Sequence, residues 1–164
     1  MKFIKLFVIV ALMATFASCG SKNQVVKESK KTLKGVWLLT DITYDRDGIY
    51  DVKLFDNVTT GCMVGSTWRF IPNNNFGNYE LDPTSGCVEG KSYFIWDIPQ
   101  NNGDASAYDI LLKPTDEKMK STMGNAGYRV NLAYLSDANL TMTQTVKEGG
   151  KPFKITMNFT KTAE

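Results

Sequence analysis

The strongest constraint in this chain is a period of two. From Leu33 onward apolar residues recur at alternate positions, as strands with one buried and one wet face require. In the clearest run Phe153, Ile155, Met157 and Phe159 alternate with Lys154, Thr156, Asn158 and Thr160. Before it Leu140, Met142 and Val146 alternate with Asn139, Thr141, Thr143 and Thr145, and Lys147-Glu148-Gly149-Gly150 supplies the glycines of a hairpin, so the two strands pair antiparallel. Tyr128, Val130, Leu132 and Tyr134 mark one face of another strand, which ends at the turn Ser136-Asp137-Ala138. The same pattern predicts strands near 34–43, 66–71, 76–81, 91–98 and 106–113, eight in all. Turn-forming clusters separate them: Asp45-Arg46-Asp47-Gly48, Pro72-Asn73-Asn74-Asn75, Asp82-Pro83 with Gly86, and Asn101-Asn102-Gly103. The five prolines fall at strand ends, where a missing N–H is tolerated. Eight short sequential strands within residues 33–164 predict an all-β chain, an eight-stranded antiparallel up-and-down barrel with no C-terminal helix, which removes its own edges. A two-sheet sandwich is the alternative. The longest polar interruption, 114–127, is read either as holding a single helical turn capped by Thr115 and running through Lys120, lying across one mouth of the barrel, or as a mobile loop.

The first residues read as an address. Lys2 and Lys5 precede an apolar run from Leu6 to Phe16, and Ala17 and Ser18 lead directly to Cys19. The run spans 11 residues, too few for the roughly 20 that a membrane-spanning helix needs. Phe16-Ala17-Ser18-Cys19 resembles the bacterial lipobox, in which the cysteine is lipidated and becomes the first residue of the mature chain. In that resemblance residues 1–18 are a lipoprotein signal peptide, Cys19 carries the lipid, and Gly20 implies sorting to the outer membrane, facing the periplasm or the cell surface. Residues 19–32, rich in lysine and without apolar periodicity, read as a flexible tether, and Lys27, Lys30 and Lys31 could touch anionic head groups. Removing residues 1–18 takes Lys plus Arg from 19 to 17 against 17 acids, so the mature chain is neutral. An odd cysteine count is then explained: with Cys19 lipidated, Cys62 and Cys87 remain as a disulfide pair in an oxidising compartment.

Lys34-Gly35-Val36-Trp37-Leu38-Leu39 places Gly-x-Trp at the start of the first strand. This resembles the opening motif of lipocalins, whose tryptophan plugs the closed end of the barrel. Leu135-Ser136-Asp137-Ala138-Asn139-Leu140-Thr141-Met142 resembles the turn and penultimate strand of small lipocalin-like lipoproteins from Gram-negative bacteria. Trp68-Arg69-Phe70-Ile71-Pro72-Asn73, with Phe76, Tyr79 and Gly86-Cys87, is similar to their central hairpin with a cysteine on either side. The resemblance covers most of residues 33–161 and implies a barrel with Gly35 and Trp37 as its fold motif. It departs from classical lipocalins in lacking the helix after the barrel and the late arginine that stacks on the tryptophan; Lys161 would have to take that arginine's place, or the contact is absent.

The chain has no histidine, so Ser-His-Asp triads, Cys-His pairs and histidine metal or haem sites are excluded. Asp45, Asp47 and Asp51 fail the calcium-loop spacing, because the sixth and twelfth positions counted from Asp45 are Tyr50 and Asp56. No phosphate loop, carboxylate pair or basic stripe points to a cofactor, a metal, acid–base catalysis or nucleic acid. The expectation is a non-enzyme that binds a small hydrophobic or amphipathic ligand, with a ligand-free accessory lipoprotein that docks another envelope protein as the alternative. Trp68 and Phe70 share a strand face, as do Phe94 and Trp96, so these four either fill the barrel or line a ligand cavity. Arg69 and Arg129 fix an anionic head group if they point inward and are surface charges if they point outward.

Overall fold

A computed structural model describes residues 21–50, 52–55, 58–82, 87, 90–99 and 108–163. The signal peptide, Cys19 and the expected turns at Pro83–Gly86 and Asn101–Gly103 lie outside the described residues. The chain opens with helix α1 (Ser21–Leu33) and strand β1 (Gly35–Tyr44). A small hairpin, β2 (Lys53–Leu54) and β3 (Val58–Thr59), and the single turn α2 (Thr60–Met63) follow. Then come β4 (Thr67–Ile71), β5 (Phe76–Glu80), β6 (Lys91–Asp97), β7 (Tyr108–Thr115), β8 (Tyr128–Leu135), β9 (Asn139–Glu148) and β10 (Lys151–Ala163).

β1 and β4–β10 form one closed antiparallel barrel in the order β1-β10-β9-β8-β7-β6-β5-β4, so the up-and-down barrel is the observed fold and the sandwich is not. β1 closes it by pairing on both sides, with β4 through Gly35–Leu38 and with β10 through Val36–Tyr44. Its register to β10 shifts between Leu39 and Asp41; below the shift Trp37 and Leu39 face inward, and above it the half-buried Ile42 and Tyr44 do. The Gly149-Gly150 turn joins β9 to β10 with both glycines in the left-handed region, φ +56° and +78°, as a two-residue primed turn demands.

The inward positions are almost all apolar. Phe153, Ile155, Met157 and Phe159 of β10 are buried, as are Trp68 and Phe70 of β4, Phe94 and Trp96 of β6, and Ile110, Val130 and Met142 of the next strands. Gly77 of β5 sits where a side chain would collide: a Cβ there would lie 2.2 Å from the Phe94 ring and 2.8 Å from the Arg69 carbonyl oxygen. The Phe94 ring covers the bare backbone of its register partner and fills the space the glycine leaves.

One expectation is corrected, and of the two readings of 114–127 the helical one is excluded. The segment 19–32, read as a tether, is helical from Ser21. Among its described side chains Val26 and Leu33, two turns apart, are the apolar ones packed on the core, so its apolar period was too sparse to register. The helix is held by tertiary contacts instead: Leu33 is fully buried, and the Lys30 ammonium pairs with Asp97 at 2.6 Å. Segment 114–127 holds no helical turn from Thr115 to Lys120. β7 runs through Thr115, which bridges to Ser121, and the carboxylate of Asp116 accepts the backbone N–H of Lys118 and Lys120 at 2.9 and 2.8 Å. A charged acceptor one residue later outcompetes the Thr115 hydroxyl, and the loop turns back at the mouth.

The Gly77–Phe94 contact gives a stability prediction. Gly77→Ala is expected to lower unfolding stability by about 1–3 kcal/mol, as overpacking does in a filled core. Urea denaturation followed by tryptophan fluorescence measures it, and an unchanged midpoint contradicts the close approach.

Candidate functional site

The two ends of the barrel are built differently. At the closed end β1 starts, β4 turns into β5, and α1 packs below. Gly35 takes φ +125°, a conformation that side chains disfavour, to turn the chain from helix into strand. Two residues on, the fully buried indole N–H of Trp37 donates to the Leu33 carbonyl at 2.8 Å. Lys161, the register partner of Trp37 on β10, lies 5.1 Å from the indole centroid and donates to the Thr32 carbonyl at 3.0 Å. Of the two alternatives left by the missing arginine, Lys161 over the tryptophan is the one observed. Phe70 and Trp96 complete this half: their rings meet edge to face at 5.5 Å, and the Trp96 N–H donates to the Phe76 carbonyl at 2.8 Å. The closed end is filled.

The other end is partly hollow. A cavity of about 470 Å³ opens at the mouth between β5, β6, β7 and β8. Its floor is Trp68, Phe94 and Leu112, its walls Tyr79 and Tyr128, and its rim the turn carrying Asp116, Thr122 and Met123. Trp68 is held by its neighbours: Tyr79 stacks on it at 4.8 Å, Phe94 lies at 5.7 Å, and its indole N–H donates to the buried Ser66 hydroxyl at 2.9 Å. The opposite side of the mouth is plugged by Tyr44, Tyr50 and Phe153, whose centroids lie 4.8–5.3 Å apart.

Phe55 covers the cavity from the loop between β2 and β3. Its backbone takes φ +51°, a strained conformation for a bulky residue. The Tyr128 hydroxyl holds it by donating to the Phe55 carbonyl at 2.9 Å, while its ring packs on Tyr128 at 5.2 Å and on Trp68 at 5.9 Å. The same excursion is stapled from its far side: Cys62 of α2 and Cys87 of the β5–β6 connection form the expected disulfide, with their Cα atoms 5.7 Å apart. Closing a loop of 25 residues in the unfolded chain contributes roughly 3 kcal/mol on the entropic account.

The structure therefore divides the expected ligand residues. Trp68 and Phe94 line the cavity, whereas Phe70 and Trp96 belong to the filled end. Arg69 and Arg129 do not face the interior. Alternation on β4 and β8 puts them outside, where Arg129 pairs with Asp109 at 2.8 Å and Arg69 borders a groove beside α1. Their reading as an anchor for an anionic head inside the barrel is corrected on that ground. Sequence reasoning passed over Phe55, Tyr79, Tyr128 and Met123. Tyr79 and Tyr128 carried a signal, being in phase with the buried positions of their strands, but Phe55 and Met123 sit in loops without periodicity.

Burial raises the Tyr79 hydroxyl above the ordinary value of 10.0, with a hydrogen bond to Ser92 opposing the shift. Burial favours the neutral phenol, so below pH 10 the folded state keeps its full stability. Above pH 10 the unfolded phenol ionises first and stability falls as pH rises toward the folded value. Tyr79→Phe is expected to move alkaline unfolding to higher pH, measured by circular dichroism against pH; an unmoved midpoint contradicts the burial argument. No protein-family model matches the chain, and no curated protein matches it.

Proposed function

We propose that this chain is a lipid-anchored protein of the bacterial cell envelope, similar to small lipocalin-like lipoproteins, that binds a small hydrophobic or amphipathic ligand in the mouth of its barrel without covalent chemistry. The observation that carries the reading is the mouth cavity, whose volume of about 470 Å³ lies within the range of small-molecule sites and whose floor is aromatic. Burying about 300 Å² of apolar ligand surface is worth about 7.5 kcal/mol before the costs of association, which puts the expected Kd at micromolar or weaker. The rim supplies polar groups for one end of an amphiphile: Ser92, Thr115, Thr122 and the carboxylate of Glu117. Phe55 is placed to close over the apolar part. Anchoring rests on the lipobox resemblance at Phe16–Cys19, and the Cys62–Cys87 disulfide fits an oxidising envelope compartment. The alternative, a ligand-free accessory protein that docks another envelope protein, gains less support: the exposed large apolar side chains Val25, Ile49, Val64, Ile71, Met123 and Tyr134 sit on six separate segments of the described chain.

Native mass spectrometry with palmitate and with lysophosphatidylethanolamine is expected to show one-to-one binding of at least one of them. Met123→Trp, on the exposed rim, narrows the mouth without entering the core and is expected to weaken that binding at least tenfold. Uptake of neither probe, or undiminished binding by the variant, overturns the cavity reading. Separately, radiolabelled palmitate fed to expressing bacteria is expected to label the wild type and not Cys19→Ser; equal labelling contradicts the anchor.

A further inference from the structure

On the outside of the closed end, α1 and β4 enclose a groove of about 660 Å³. Five cations border it: Lys27, Lys30, Lys31 and Lys34 from α1 and its exit, and Arg69 from β4. The lysines recur at three- and four-residue steps along one side of the helix. No carboxylate lines this groove among the described residues. Lys30 is committed to Asp97 at 2.6 Å and lies 5.8 Å from the Trp96 ring, but none of the other four has a carboxylate within salt-bridge distance among the described residues. Glu28 and Asp137 line a separate recess of the helix, one that Lys31, Lys34 and Lys161 also border. Between the cations the groove is apolar, with Val26, Ile71 and Pro72, and Ile71 is 40% exposed. Four cations without a carboxylate partner among the described residues thus lie beside exposed apolar surface where α1 packs on the closed end.

We infer that this groove is a docking site for an anionic lipid bilayer, with Lys27 and Arg69 on opposite walls receiving lipid phosphate and Ile71 resting at the level of the upper acyl chain. Such cations attract an anionic surface over about one Debye length, and each contributes about fivefold to the partition. Because α1 is pinned by the Trp37 and Lys161 bonds to Leu33 and Thr32, the cations are presented in a fixed arrangement, with the barrel mouth at the far end. A bilayer is favoured over an acidic protein because the helix's N-terminal end lies two residues from Cys19. That last step rests on the proposed anchor, whereas the groove's chemistry does not.

The test separates the two. The chain from Ser21 to Glu164, which holds the barrel, α1 and the disulfide but no lipidation site, is sedimented with vesicles of phosphatidylglycerol and phosphatidylcholine (about 3:7) or of phosphatidylcholine alone, at about 0.1 M salt. Binding to the anionic vesicles only is expected, and Lys27→Gln/Arg69→Gln is expected to weaken it about 25-fold, two cations at about fivefold each. A control pair of equal charge change, Lys118→Gln/Lys120→Gln on the mouth turn, is expected to bind within about twofold of the wild type. Thermal melts of all three proteins confirm that they are folded. Equal loss by both pairs reduces the effect to net charge and overturns the site, as does binding that ignores phosphatidylglycerol. Failure here with Cys19 labelled in cells leaves the anchor standing without the groove; success here with Cys19 unlabelled does the reverse.

Discussion

Closure of the barrel depends on Trp37. β1 joins two strands that are far apart in sequence, β4 on one side and β10 on the other, and its first residues pair with both. The indole sets them: it is fully buried, it donates to the Leu33 carbonyl, and Lys161 lies over it while bonding the Thr32 carbonyl. Those two carbonyls belong to the last residues of α1, which have no intrahelical partner and would otherwise be left unsatisfied. One side chain from β1 and one from β10 thus cap the helix, plug the barrel and bring the first and last strands together. Lysine serves because the second bond goes to a single backbone oxygen, for which the planar fork of arginine is not required.

Each tryptophan solves the same problem differently. A buried indole N–H needs an acceptor, and the three find the end of a helix, a buried serine and a strand carbonyl. Trp96 and Trp37 are satisfied by backbone at the closed end, where the aromatic packing leaves no room for a ligand. Trp68 is satisfied by Ser66, two residues before it, which leaves one side of the ring cluster facing the cavity. On β9 the Oε1 atom of Gln144 is buried with no hydrogen-bond partner among the described residues, a cost of packing that strand into the barrel.

Legibility followed the physics of each signal. The eight barrel strands could be read because period two survives wherever one face is buried: β10 was expected from Phe153 to Thr160 and runs from Lys151 to Ala163, and β4 was expected at 66–71 and spans Thr67–Ile71. The Cys62–Cys87 pairing followed from counting cysteines. Helix α1 could not be read, because its two core contacts, Val26 and Leu33, are outnumbered by lysines and its stability comes from residues more than 60 positions away, such as Asp97. The split between cavity-lining and core aromatics was also invisible. Trp68 and Phe70 are equivalent by alternation, and only their height along the barrel distinguishes them.

That height depends on the loops rather than on the strands. The excursion from Asp45 to Ser66 ends in Ser66, whose backbone carbonyl accepts the N–H of Leu39 at 2.9 Å while the neighbouring Gly65 N–H donates to the Leu39 carbonyl at 2.8 Å. These bonds continue the β1–β4 ladder past Thr67 and draw the loop back across the mouth. The disulfide holds α2 to the β5–β6 connection and the Tyr128 hydroxyl holds Phe55, so the excursion is tied on two sides while Phe55 keeps an unfavourable φ of +51°. The Phe55 ring is itself buried, 8% exposed, against Trp68 and Tyr128, so apolar packing as well as one hydrogen bond holds the strained backbone in place.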